Sequence, residues 1–89
     1  MAWRVELDPA AVRDLGKLDQ QASRRILAFL HGCVATLEDP RSIGEALKGS
    51  RQGEFWKYRV GDYRIIARIE DDALCILVVS VGGRDKVYR

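Results

Sequence analysis

Gly61-Asp62 sits between two segments that alternate apolar and polar residues, Glu54–Val60 and Tyr63–Glu70, and no other feature restricts the fold as much. A two-residue loop of this composition closes a tight antiparallel hairpin, because glycine reaches the positive φ that such turns require. The loop also sets the register, which places Val60 opposite Tyr63, Arg59 opposite Arg64 and Lys57 opposite Ile66. Alternation along each strand then gathers Trp56, Tyr58, Val60, Tyr63, Ile65, Ala67 and Ile69 on one side. Phe55, Lys57, Arg59, Arg64, Ile66 and Arg68 fall on the other. The first set reads as core. Asp71-Asp72 marks a second turn into a third strand, Ala73–Val81, and Gly82-Gly83 is expected to break that strand before a short tail, residues 84–89.

Before this meander the chain reads as one strand and two helices. Trp3, Val5 and Leu7 alternate with Arg4 and Glu6, the pattern of a half-buried strand. Asp8-Pro9 supplies a helix N-cap and a proline at the first helical position. The first helix is expected to run to about Lys17–Asp19, with Val12, Leu15 and Leu18 inward. A second is expected over Gln20–Leu37, with Ile26, Phe29, Leu30, Cys33 and Leu37 on its apolar face and Arg24 and Arg25 on its polar one. Asp39-Pro40 ends it. Arg41–Gly53 reads as a linker across the surface, pinned by Leu47. The order is β-α-α-β-β-β, an α+β fold in which two N-terminal helices pack on one face of a small, mostly antiparallel sheet.

Eighty-nine residues make one domain, 1–89, and a chain of that size buries only about 60–65% of its unfolded surface. A bound partner therefore adds appreciably to its stability. No apolar run approaches the roughly 20 residues that span a bilayer, and the N-terminal segment has no secretory apolar block, so a cytoplasmic protein without a membrane partner is expected. Cys33 and Cys75 are far apart in apolar stretches and read as two buried thiols. With one histidine and no clustered Cys/His spacing, neither a metal site nor a cofactor is expected.

The second face of the sheet carries the functional signal. Net charge is only +2, but Arg41, Lys48, Arg51, Lys57, Arg59, Arg64 and Arg68 stand against three acids in the same stretch. Like charges directly opposed, as Arg59 and Arg64 are, destabilise a sheet, so a merely solvated face would alternate signs. Cations converging on one surface suit a phosphodiester, whose oxygens guanidinium groups grip in a bidentate fork. Ile66, Leu77, Val79 and Val81 are expected on the same face, beyond the reach of the helices, and an apolar patch of that kind marks a binding surface. Arg84, at the end of the third strand, reaches the same cleft, and Tyr88 in the tail is placed to stack on a base.

RNA cleavage through its own 2′-hydroxyl needs that hydroxyl deprotonated, the phosphorane's charge stabilised and the leaving 5′-oxygen protonated. His31 lies within the second helix and reads as structural or solvent-facing. Lysine, arginine and tyrosine remain, and these suit charge stabilisation far better than proton transfer. Such a site is poor on free RNA and useful when something else presents the strand in line for attack.

With these residues in view, the chain resembles the RelE branch of the RelE/ParE toxin superfamily over nearly its full length. The resemblance rests on the Asp8-Pro9-Ala10-Ala11 helix start, Ala46-Leu47-Lys48-Gly49, Lys57-Tyr58-Arg59, Gly61-Asp62-Tyr63-Arg64-Ile65-Ile66, and Val81-Gly82-Gly83-Arg84-Asp85-Lys86-Val87-Tyr88. It implies a type II toxin that enters the ribosomal A site and cleaves mRNA there without metal, leaving a 2′,3′-cyclic phosphate. By motif position the cleavage residues are Lys57, Arg59, Arg64, Arg84 and Tyr88. Lys48, Arg51, Arg68 and Lys86 would add RNA contacts, and Ile66, Leu77 and Val79 would receive the antitoxin. The implied partners are a cognate antitoxin, the ribosome and mRNA, with a toxin–antitoxin hetero-oligomer as the resting form. The chain departs from the pattern at Gly83, where close relatives often carry histidine or lysine, and it lacks the C-terminal helix of some members. The first departure implies weaker activity. The alternatives are the ParE branch, which shares the fold and inhibits DNA gyrase, and an RNA-binding module without catalysis. Lys57, Arg59 and Tyr88 together favour RelE, since a gyrase-binding protein has no need of a convergent cationic site with a stacking aromatic.

Overall fold

The computed structural model describes residues 3–47 and 55–83. Its elements are β1 (Arg4–Leu7), α1 (Pro9–Gly16), α2 (Gln20–Gly32), β2 (Glu45–Ala46), β3 (Trp56–Val60), β4 (Tyr63–Glu70) and β5 (Cys75–Gly83). The strands form one sheet in the order β1-β5-β4-β3-β2, with β1 parallel to β5 and the other neighbours antiparallel. Among the described residues no helix is long and apolar enough to cross a membrane.

Both helices begin as their caps dictate. The Asp8 carboxylate accepts from the Ala10 amide at 3.0 Å, with Pro9 at the first helical position, and Asp19 accepts from the Ala22 amide at 2.8 Å. Asp19 thus opens α2 rather than ending α1, which stops at Gly16. Ala11 and Leu15 form the buried face of α1, whereas Val12, expected inside, is 52% exposed. The Ser23 hydroxyl donates to the Leu15 carbonyl at 2.8 Å and ties α2 to the end of α1.

The second helix is shorter than its apolar periodicity suggests. It ends at Gly32, and a 3-10 turn at Val34–Thr36 replaces the last stretch predicted as helix. Glycine is a weak helix former, and the tighter turn buries Val34 and Ala35 while the Ala35 carbonyl accepts the Trp3 amide at 2.8 Å. Cys33 consequently faces solvent; only Cys75 is buried, which corrects the expectation of two buried thiols. His31, in the last turn of α2, is exposed.

The hairpin register is the one the turn imposes: Arg59 opposite Arg64, Lys57 opposite Ile66, Val60 opposite Tyr63, with Gly61 at φ +58°. The Tyr58, Val60, Ile65 and Ala67 side chains enter the core beneath the helices with Ile26, Leu30, Ile76 and Val78. On β5 the reading needs two corrections. A bulge between Ile66 and Ala67 of β4 leaves Val79 unpaired, since Ile66 opposes Ser80 and Ala67 opposes Val78. The extra residue shifts the alternation, so Val81 opposes Ile65 and is buried in the core instead of lying on the outer face. Gly82 and Gly83 do not break β5; they continue it, opposite Arg64 and Tyr63. Beyond the end of β1, the Val81 amide donates to the Asp14 carboxylate of α1 at 3.0 Å.

The segment expected to be a linker is instead fastened to β3. Pro40 is buried and its carbonyl accepts from the Tyr58 hydroxyl at 2.6 Å; the Ile43 carbonyl accepts from the Trp56 indole at 2.7 Å. Gly44, at φ +80°, lies so close to β3 that a Cβ there would stand 2.5 Å from the Lys57 carbonyl oxygen. Glu45 and Ala46 then pair with Lys57 and Trp56 as the short edge strand β2. Leu47, the predicted anchor, is half-buried, and its amide donates to the Phe55 carbonyl at 3.0 Å.

Arg41 reaches from this crossover to the β4–β5 turn, where it holds the Asp71 carboxylate bidentately at 3.0 and 2.9 Å. The guanidinium hydrogen bonds hold the Asp71 carboxyl below its ordinary value. A depressed carboxyl contributes stability above its unfolded pKa, about 3.9, and loses it as pH falls through the lower folded value. Arg41→Ala is expected to cost up to about 1 kcal/mol at neutral pH, the upper range for a solvent-exposed pair. In urea denaturation the difference from the parent should shrink as pH falls below about 4.

Candidate nucleic-acid interface

The helices cover one face of the sheet, α1 against β5 and α2 against β3. The face they leave carries rows of residues aligned across strands. One row runs Glu45, Lys57, Ile66, Ser80 from β2 to β5; the next runs Arg59, Arg64, Gly82. Two guanidinium side chains therefore stand directly opposed, one row from an ammonium, as the alternation predicted.

Lys57 and Arg64 line one open cleft of about 390 Å³ with Glu45, Ala46 and Leu47. Both cations are half-buried, while Arg59 is exposed at the rim. Gly82 adds no side chain beside Arg64, and among the described residues a Cβ there would meet nothing within 4 Å. A Cβ at Gly83 would instead stand 3.8 Å from the Tyr63 ring, towards the helix face, because Gly83 is out of phase with Arg64. A side chain at this position would thus start from β5 on the side opposite Arg64.

Lys57 has a partner that the sequence reading did not foresee. Its Nζ lies 3.1 Å from Glu45 Oε2, the carboxylate on the strand opposite. Glu45 was missed because the crossover reads as a linker, with glycines at 44, 49 and 53. The available signal was on β3: Trp56 and Tyr58, facing inward, each bring one polar atom that needs an acceptor when buried.

Arg68 shares the face but opposes Leu77, about 13 Å along β4 from Arg64, and does not line the cleft. Ile66, Leu77 and Val79 are half-buried on this side of the sheet or at its bulge, and neither of the described helices packs over them. Arg84, Tyr88, Lys48, Arg51 and Lys86 lie outside the described residues. A second cavity, about 610 Å³, opens at the start of α2 between Asp19, Gln21, Arg24, Arg25 and Tyr63, away from the cationic rows. Among the described residues no three His, Cys, Asp or Glu side chains are grouped as metal ligands would be.

Comparison with known proteins places this arrangement. A family described as the ParE toxin of the type II toxin–antitoxin system parDE matches residues 5–88. Toxin RelG of Mycobacterium tuberculosis is 29% identical over 89 residues, spanning 100% of this chain and 99% of RelG. The Escherichia coli protein named mRNA interferase toxin RelE is 28% identical over 86 residues, 97% of this chain and 87% of RelE. In structure, a chain of the toxin–antitoxin complex RelBE2 from M. tuberculosis matches with a TM-score of 0.82 at 26% identity, covering 94% of this chain and 93% of that one. The family description carries the ParE name and the individual relatives carry RelE and RelG names, so the match spans both branches of one superfamily. The chain belongs to the ParE/RelE family and is a RelE-like toxin of a type II toxin–antitoxin system.

Proposed function

We propose that this toxin is a metal-independent endoribonuclease that cleaves mRNA in the ribosomal A site. One observation carries the reading: Arg59 and Arg64 stand opposed on the open face, one row from Lys57, in a chain related to a protein named an mRNA interferase. Opposed like charges cost stability, and a phosphodiester between them turns that cost into binding. Arg64 grips the scissile phosphate, and Lys57 and Arg59 stabilise the charge that grows on it as the 2′-oxygen attacks. Arg84 is assigned to the same phosphate and Tyr88 to a base, by motif position. Arg68, Lys48, Arg51 and Lys86 contact flanking phosphates.

Apart from the Glu45 carboxylate, the described residues of the cleft suit charge stabilisation more than proton transfer, and His31 sits away from it on α2. The site therefore gains from a strand already held in line, which the ribosome supplies. The resting partner is an antitoxin segment that orders on the half-buried Ile66, Leu77 and Val79, a reading supported by their place on the uncovered face and by a relative found in a toxin–antitoxin complex. Such a toxin works in the cytoplasm, as one domain. The family description favours a second reading, a ParE-like inhibitor of DNA gyrase. Primer extension on mRNA after brief expression separates the two, because only the first leaves new 5′ ends within codons.

Arg64→Ala should slow cleavage of ribosome-bound mRNA by about 10²–10³-fold, the loss usual for one charged transition-state contact. Cleavage at the parental rate would show that the site is elsewhere. The chemical step should also proceed at an unchanged rate when divalent ions are chelated and polyamines keep the ribosomes intact; a requirement for added metal would exclude the mechanism. For the partner surface, Leu77→Asp should weaken antitoxin binding tenfold or more, about 1.4 kcal/mol. Arg24→Ala on the exposed side of α2 should change it less than twofold, with unfolding midpoints confirming that both variants fold.

A further inference from the structure

Glu45 is the one carboxylate among the described residues lining the cleft, and its charge opposes the phosphodiester that the surrounding cations attract. Its position is not accidental. The crossover that carries it is held to β3 by the Trp56 and Tyr58 hydrogen bonds and by the close approach of Gly44, and Arg41 anchors its start to Asp71. Register then places Glu45 directly opposite Lys57 and on the same face. The two ends of the pair differ in exposure: the Lys57 side chain is 20% exposed and that of Glu45 is 65% exposed. The cation lies in the wall of the cleft, and the carboxylate closes over it from the solvent side.

We infer that Glu45 is a specificity-determining residue, a built-in counter-charge that a phosphodiester must displace from Lys57 before it can occupy the cleft. This rests on the cleavage reading above. A carboxylate repels an approaching phosphate and competes with it for the same ammonium. Because the carboxylate is largely solvated, the ion pair is weak and gives way to a phosphate held in place by other contacts. A strand diffusing freely has no such contacts and meets the full competition. Glu45 thereby lowers the affinity of the site for unpresented RNA and leaves a strand that is already positioned at an advantage.

The contrary role is that Glu45 serves the chemical step, by positioning the Lys57 ammonium or by accepting the 2′-hydroxyl proton, in which case removing its charge slows cleavage on ribosome-bound and free RNA alike without tightening binding through Lys57. Glu45→Gln separates the two, since the amide keeps the size of the side chain and the β2–β3 pairing is through the backbone. The first measurement is the affinity for a single-stranded oligoribonucleotide carrying 2′-O-methyl groups, which cannot be cleaved, by fluorescence anisotropy at low salt. Glu45→Gln is expected to bind it more tightly than the parent, by up to about fivefold, the most that an exposed pair is worth. In a Lys57→Met background the same change should give less than half of that gain, because the effect acts through Lys57. The second measurement is the ratio of cleavage on free RNA to cleavage on ribosome-bound mRNA, which should rise in Glu45→Gln. Equal or weaker binding of the oligonucleotide by a folded Glu45→Gln variant overturns the inference, as does a full gain without Lys57. The binding arm needs no catalysis, so a tighter-binding variant of a toxin that proves not to cut mRNA would refute the cleavage reading and leave the counter-charge standing.

Discussion

Both described helices lie between β1 and the crossover and both pack on the same face of the sheet, which leaves the other face without a helix among the described residues. Every later feature depends on this one-sided covering. It permits Arg59 and Arg64 to stand opposed at a surface, where their charges stay hydrated, whereas the same pair under a helix would cost several kcal/mol per ion. The bulge on β5 fits the same covering. Val79 takes up one residue of phase, so that Ile76, Val78 and Val81 all reach the core while Leu77 remains outside. Without that irregularity, Val81 would fall on the outer face.

The crossover shows how two aromatic side chains organise a segment that has little regular structure of its own. Tyr58 is fully buried, and its hydroxyl is satisfied only because the Pro40 carbonyl comes to it; burial also pushes the phenol well above its ordinary pKa. The Phe29 ring meets the Tyr58 ring edge-on at 6.1 Å, which joins α2 to the same anchor. The chain that must pass over these residues is thereby held against β3, and β2 forms at the sheet edge. One wall of the cleft is thus a consequence of core packing on the far side of the sheet. Packing and recognition are linked through a single strand whose alternate residues, Trp56 and Tyr58 against Lys57 and Arg59, serve the two sides.

Much of this was legible in the sequence where a local rule had no competitor. The Gly61-Asp62 turn fixes the β3–β4 register by itself, and from it follow the shared face of Lys57, Arg59 and Arg64 and the core set on the other side. The Asp8-Pro9 start was legible for the same reason, a cap that needs only its own neighbours. The misreadings arose where tertiary contacts outweighed local pattern. Apolar spacing carried α2 on to Leu37, yet the Ala35 carbonyl accepts the Trp3 amide just before β1 and the helix stops at Gly32. Glycines at 82 and 83 look like a break, but ladder pairing with Arg64 and Tyr63 continues the strand. Val78 and Val79 are both apolar and do not show that one of them is an inserted residue, so the phase of Val81 was misread although the polar Ser80 before it stands on the outer row.

The central claim is that the cationic rows on the uncovered face are where a phosphodiester strand binds. The most direct measurement is a titration of isotope-labelled toxin with an uncleavable single-stranded oligoribonucleotide, followed through backbone amide shifts. The account predicts that the largest changes fall on Lys57, Arg59 and Arg64 and their neighbours on β3 and β4, with those of α2 little moved. Changes concentrated on Arg24, Arg25 and the α2 cavity, with Lys57, Arg59 and Arg64 unmoved, would contradict it.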